Sequence, residues 1–171
     1  VEQMARMFFE SDFNQPIDKW SVSNVKSFTM MFAKSKFNQP IGNWDMSNAT
    51  NTSSMFSQSI FNQPIGEWDV SNVTDMAGMF QDAIFNKTIG NWDVSKVNSM
   101  STMFRNSRFN QDISKWNVSN VTNMHTMFYY AQPFDQDLSK WDVSKVTECT
   151  KVTFGASRWT LAKPIFTNCT Q

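Results

Sequence analysis

Ser21, Asp45, Asp69, Asp93, Asn117 and Asp142 occupy one register position of this chain, 24 residues apart until the last step of 25. Carboxylates stacked at about 5 Å repel one another by more than roughly 1 kcal/mol unless something compensates. A hard cation such as Ca²⁺, held between neighbouring repeats by the Asp oxygens and the Ser two residues on, is one solution. The other is local: each Asp accepts backbone N–H bonds from the Ser and Asn that follow it, an Asx turn written once per repeat. Ser21 and Asn117 can do that without a charge, so the local reading is favoured. No metal and no cofactor is assigned.

Ser23, Ser47, Ser71, Ser95, Ser119 and Ser144 form a second column, but a serine nucleophile needs a base. His125 is the only histidine, it sits between Met124 and Met127, and no Gly-x-Ser-x-Gly turn is present. No nucleophile, acid pair or cofactor loop can be assembled, so the chain reads as non-enzymatic. The cysteines and the one histidine match no zinc spacing. Cys149 and Cys169 are expected to form a disulfide, which would close a loop of about 20 residues and stabilise by roughly 3 kcal/mol; two buried free thiols are the alternative. Asn14, Asn38, Asn62, Asn86 and Asn110, followed by Asp135, read as a hydrogen-bonded amide ladder. Sequons occur at Asn48, Asn51, Asn72, Asn86, Asn117, Asn120 and Asn168. A repeat spelled in Asn, Ser and Thr produces them by accident, so Asn168, outside the pattern, is the candidate glycosylation site.

The element that must position these columns is a repeat. Trp20, Trp44, Trp68, Trp92 and Trp116 recur every 24 residues and Trp141 follows after 25; Phe32, Phe56, Phe80, Phe104 and Phe128 keep a parallel register, each preceded by Met. Both columns are assigned to the core, because one unit cannot bury its Trp, Met and Phe alone, whereas stacked units can. Within a unit, Trp68-x-Val70 alternates as a short strand. Val73, Met76, Met79 and Phe80, spaced three, three and one, predict a short α or 3-10 turn. The expected fold is an α/β repeat: a leucine-rich-repeat-like right-handed solenoid of about six coils, with short parallel strands roughly 4.8 Å apart. One domain is expected over residues 1–155, with a partial repeat 1–12 and repeats 13–36, 37–60, 61–84, 85–108, 109–132 and 133–155. Residues 156–171 would be a C-terminal cap or tail.

The segment FNQPIGEWDVSNVTDMAGMFQDA, residues 61–83, resembles the repeat of BspA-type leucine-rich-repeat surface proteins, also described as mycoplasma-lipoprotein-associated repeats. Its core I-x-x-W-x-V-x-x-V is similar to the leucine-rich-repeat consensus, and the 24-residue period lies in that range. The resemblance implies an extracellular or cell-surface protein concerned with adhesion and with binding host or matrix proteins, and it carries no catalytic residues. Departures fall at Ala49 and Thr52, where the columns usually hold Val and Met, and at Cys149 and Val152, which replace Met in the last unit.

The chain's 15 basic and 15 acidic residues in 171 leave no net charge, which removes the electrostatic footprint of a nucleic-acid binder. No apolar run approaches the roughly 18 residues of a transmembrane segment. The chain begins inside a repeat and is expected to be a mature or partial chain. Specificity for a protein or glycan partner is expected in the letters that vary before the tryptophans, Lys19, Asn43, Glu67, Asn91, Lys115 and Lys140, and the candidate binding face also takes in Asp45, Asp69, Asp93, Asn117 and Asp142 after them. Lys34, Gln58, Gln81, Arg105 and Tyr129 in the return segments are further candidates. The alternative is a structural subunit of a larger assembly, docking through an open N-terminal coil that exposes Met4, Met7, Phe8 and Phe9.

Overall fold

A computed structural model describes residues 1–170. Among them the chain forms no helix and no strand beyond isolated bridges. The expected α/β, leucine-rich-repeat-like right-handed solenoid is therefore not the architecture. The repeat is built instead from consecutive tight turns joined by extended segments. Single parallel bridges link Gln3 to Ser27, Ser27 to Asn51, Asn51 to Asp75, Asp75 to Ser99, Ser99 to Asn123 and Asn123 to Glu148, so equivalent residues of successive coils lie side by side.

The backbone hydrogen bonds explain both misreadings. In the predicted strand, the Trp68 amide donates to the Ile65 carbonyl at 3.2 Å and the Val73 amide to the Val70 carbonyl at 2.9 Å, so Ile65–Val73 is two successive turns. In the predicted helix, Met79, Gln81 and Ala83 donate to Met76, Gly78 and Phe80, again three residues back. The intervening amides of Met76, Gly78, Phe80 and Asp82 leave the coil and donate to Ser99, Ser101, Met103 and Arg105 of the next one at 2.8–3.0 Å. A helix would spend all of these amides on its own fourth-preceding carbonyls. A tight turn also returns a side chain to one face after three residues, so Val73, Met76 and Met79 point inward with helix-like spacing and no helix.

The turns 76–79 and 80–83 require a left-handed residue at their third position. Gly78 (φ 64) meets this in one coil, whereas Met30, Ser54, Thr102 and Thr126 meet it in the others with φ of 50–56°. Lys34, Gln58, Asp82, Asn106 and Tyr130 do so at the second turn, with φ of 49–56°. A side chain at such a φ costs on the order of 1–2 kcal/mol, a strain that every coil here repeats and that packing offsets.

Three aromatic ladders fill the interior. Phe8, Phe32, Phe56, Phe80, Phe104 and Phe128 stack with centroids 5.6–5.9 Å apart. Phe13, Phe37, Phe61, Phe85, Phe109 and Phe134 stack at 6.2–6.3 Å, and Trp68, Trp92, Trp116 and Trp141 at 6.4 Å. Each such ring withdraws about 150–250 Å² from water. Trp20 departs from the core expected of it, being 39% exposed. It leans on Phe8, the ring centroids 5.9 Å apart.

At the other end, residues 156–170 lie over the last coil. Trp159 turns its edge against Phe128 and Phe134, at 5.1 and 4.8 Å, which ends the parallel stack. The Asp135 carboxylate accepts the Thr160 and Leu161 amides at 2.6 and 2.8 Å. Asn168 donates to the Ser144 carbonyl, and the Cys149–Cys169 disulfide ties the segment down.

Candidate functional site

Burying the tryptophan fixes what surrounds it. Trp44, Trp68, Trp92, Trp116 and Trp141 point inward at 3–5% exposure, so the residue on each side points out. Lys19, Asn43, Glu67, Asn91, Lys115 and Lys140 form one exposed column, and Asp45, Asp69, Asp93, Asn117 and Asp142 form another beside it. The structure thus brings both sets onto one face.

The acidic column is turned toward its own turns. Asp45 Oδ1 accepts the Ser47 hydroxyl at 2.6 Å and the Ser47 amide at 3.1 Å. The amides of Ser71, Ser95 and Ser144 donate to Asp69, Asp93 and Asp142 at 3.0 Å. Asn117 makes the same pair of bonds to Ser119, so the geometry needs no charge. Hydrogen bonding from the following serine, hydroxyl first and amide second, holds the carboxyls of Asp45, Asp93 and Asp142 below the ordinary range. Among the described residues no group of three His, Cys, Asp or Glu converges as a metal would require. Ser47, Ser71, Ser95, Ser119 and Ser144 are thereby used in Asx turns, and His125, exposed, donates its amide to Asn123 Oδ1.

Other columns join one coil to the next. Asn14, Asn38, Asn62 and Asn86 Oδ1 accept the amides of Asn38, Asn62, Asn86 and Asn110 at 2.9–3.0 Å. Asn110 accepts that of Asp135. The sequon residues Asn48, Asn72 and Asn120 donate their side-chain amides to Ser23, Ser47 and Ser95 carbonyls, and Asn168 extends that column to Ser144. The indole N–H groups of Trp44, Trp68, Trp92, Trp116 and Trp141 donate to the carbonyls of Ile17, Ile41, Ile65, Ile89 and Ile113 at 3.0–3.2 Å. Spacing alone could not find those partners, 27 or 28 residues back.

The return corners hold a group that the sequence reading took only in part. Gln81, Arg105 and Tyr129 were candidates there; Asp82, Asn106, Tyr130 and Phe154 were not. Asp82 accepts the Asn106 and Gln81 side-chain amides at 2.8 and 3.0 Å. Arg105 lies over the Tyr129 ring at 5.3 Å. The signal available was a change of letter, because the column that reads Lys34 and Gln58 becomes Asp82, Asn106 and Tyr130.

The disulfide fits an oxidising, non-cytoplasmic compartment. Among the described residues no helix is long and apolar enough to cross a membrane. Neither a curated protein nor a solved structure matches the chain significantly. Residues 1–84 and 58–163 both match the family described as "Mycoplasma protein of unknown function, DUF285". With the repeat matched along most of its length, the chain belongs to this Mycoplasma family of unknown function.

Proposed function

We propose that the chain is a non-enzymatic interaction module that works outside the cell or at its surface and binds a protein or glycan partner. The observation that carries this reading is the division of labour on the exposed face. The residues with chemistry, Asp and Ser, are engaged in turns, while Lys19, Asn43, Glu67, Asn91, Lys115 and Lys140 vary from coil to coil and stand exposed. A fixed scaffold carrying variable outward letters is the usual arrangement of a recognition surface. The resemblance to BspA-type surface repeats supports the same reading, with adhesion as its setting. The test is adhesion to immobilised matrix proteins and glycans, with the six variable residues replaced together by Ala in one variant and the return residues Lys34, Gln58, Gln81, Arg105 and Tyr129 in another. Adhesion undiminished in both variants contradicts the assignment.

A second reading, a structural subunit of a larger assembly, draws on Met7 and Trp20, 46% and 39% exposed; of the other residues expected to be open, Met4 is buried and Phe8 and Phe9 are half-buried. Exposed apolar side chains of that size favour a covering partner. A monodisperse monomer in sedimentation at high concentration counts against it.

A further inference from the structure

Two adjoining cavities at the return corners share Asp82, Asn106 and Tyr130; Arg105 lines one and Arg108 the other. Together they form one groove that crosses three coils. Tyr130 is 43% exposed and Phe154, set edge to face against it at 5.8 Å, is 53% exposed. The Tyr130 ring rests on Gly155, where a Cβ would come within 2.7–2.9 Å of three ring carbons, so the backbone there is bare where the ring lies. Asp82 is held by Asn106 and Gln81. Among the described residues neither Arg105 nor Arg108 forms an ion pair, the salt bridges being Lys26–Glu2, Lys34–Glu10 and Lys36–Asp12.

These groups define a ligand by chemistry. An exposed aromatic ring offers a flat apolar surface with a polar rim. Guanidinium groups without an ion-pair partner match a carboxylate fork to fork, that of Arg105 from its place over the Tyr129 ring. The Asp82 carboxylate, which lines both cavities, accepts hydrogen bonds and repels a second acid, so it suits hydroxyl donors and does not suit a run of carboxylates. A flat ring stack, hydroxyl donors and one acid group occur together in an acidic sugar. We infer that this groove binds a carboxylate-bearing saccharide, with a pyranose ring against Tyr130, hydroxyls on Asp82 and Asn106, and the acid on Arg105 and Arg108. The inference rests on the interaction-module reading and moves its contact from the tryptophan face to the return corners.

The test is calorimetric titration of the full chain with hyaluronan oligosaccharides, whose acid recurs only at every second sugar, and with monomeric galacturonate, with chitohexaose as a neutral counterpart and poly-L-glutamate as competitor. At least one acidic saccharide binds, chitohexaose binds more weakly, and poly-L-glutamate does not compete. Tyr130→Ala and the double variant Arg105→Gln/Arg108→Gln each weaken binding by about tenfold or more, while Tyr130→Phe retains it. Equal thermal unfolding of the variants excludes a folding defect, and Arg105→Gln/Arg108→Gln changes only exposed side chains. Failure of both acidic saccharides to bind, equal competition by poly-L-glutamate, or affinity unchanged in Tyr130→Ala overturns the groove. Saccharide binding lost only when Lys19, Asn43, Glu67, Asn91, Lys115 and Lys140 become Ala overturns the groove and leaves the interaction module standing.

Discussion

The two sides of each coil are joined to their neighbours by different means. On the turn side, backbone amides cross from coil to coil: Met76, Gly78, Phe80 and Asp82 each reach a carbonyl of the next. On the tryptophan side the main chain bonds within its own turns, and side chains make the crossing, the indole to an Ile carbonyl and Asn amides to Ser carbonyls. The backbones there approach closely without bonding, since a Cβ at Gly66 would stand 2.7 Å from the Thr88 carbonyl oxygen. The two sides also differ in one column each, although the Met–Phe pair of the turn side recurs unchanged from Met31 and Phe32 to Met127 and Phe128. The backbone-bonded side holds Phe28, Thr52, Met76, Met100, Met124 and Cys149 at one position; the side-chain-bonded side keeps Trp in every coil.

The largest effect that would break this contrast is at Trp92, in the middle of the ladder. Trp92→Ala is expected to cost about 3–5 kcal/mol in denaturant unfolding, through the lost ring and the cavity left behind. Trp92→Phe keeps most of the stack but strands the buried Ile65 carbonyl, at about 1–3 kcal/mol. Met100→Leu, on the turn side, should cost less than about 1.5 kcal/mol. Equal losses for Trp92→Phe and Met100→Leu would remove the distinction.

The repeat period and its inward columns were legible because Trp, Phe and Met can be buried only by stacking. The elements were not. Val73, Met76 and Met79 return to one face every three residues in tight turns as in a helix, and only the destination of the amides tells the two apart. The Asx turns could be foreseen, because Asp45 and Ser47 are two residues apart and Asn117 replaces an Asp without loss of the bond. The indole ladder joins residues 27 apart and leaves no local trace. Nor does the corner where Tyr130 rests on Gly155, which joins residues 25 apart across the one longer step of the repeat, between Trp116 and Trp141.

A second effect lies in coil 37–60, where the turn side carries a polar residue in its core. Thr52 is fully buried and its hydroxyl finds no partner. Thr52→Val should raise stability by about 1–3 kcal/mol, the desolvation cost of an unpaired group. A raised denaturation midpoint with an unchanged slope is the expected result, and a lowered midpoint would mean that the hydroxyl is satisfied.

Smaller changes follow from the left-handed positions. Ser54→Gly and Thr102→Gly should each stabilise by up to about 1 kcal/mol, the strain at φ 53 and 56 exceeding the entropy that Gly loses on folding. Gly78→Ala should destabilise by a comparable amount, because φ is +64 and a Cβ would meet the Ser54 hydroxyl at 2.9 Å. Opposite signs in thermal melts are the readout.

The smallest effect is that of pH on the tryptophan face. The carboxyls of Asp45, Asp93 and Asp142 are lowered in the folded chain by bonds from Ser47, Ser95 and Ser144. Their contribution is complete above the unfolded carboxylate pKa of about 3.9 and is lost as pH falls through the lower folded values. The melting temperature should therefore decline below about pH 4. The triple variant Asp45→Asn, Asp93→Asn and Asp142→Asn should decline less, since Asn117 already makes the same bonds uncharged.

Hydrogen exchange of the indole N–H groups, followed by NMR, tests most directly whether side chains join the coils on the tryptophan side. Trp44, Trp68, Trp92, Trp116 and Trp141 should exchange slowly, at rates near those of the turn-side amides of Met76 and Phe80, and Trp20 should exchange fast. If those five indoles exchange as fast as Trp20 while the turn-side amides stay protected, the indole ladder does not join the coils.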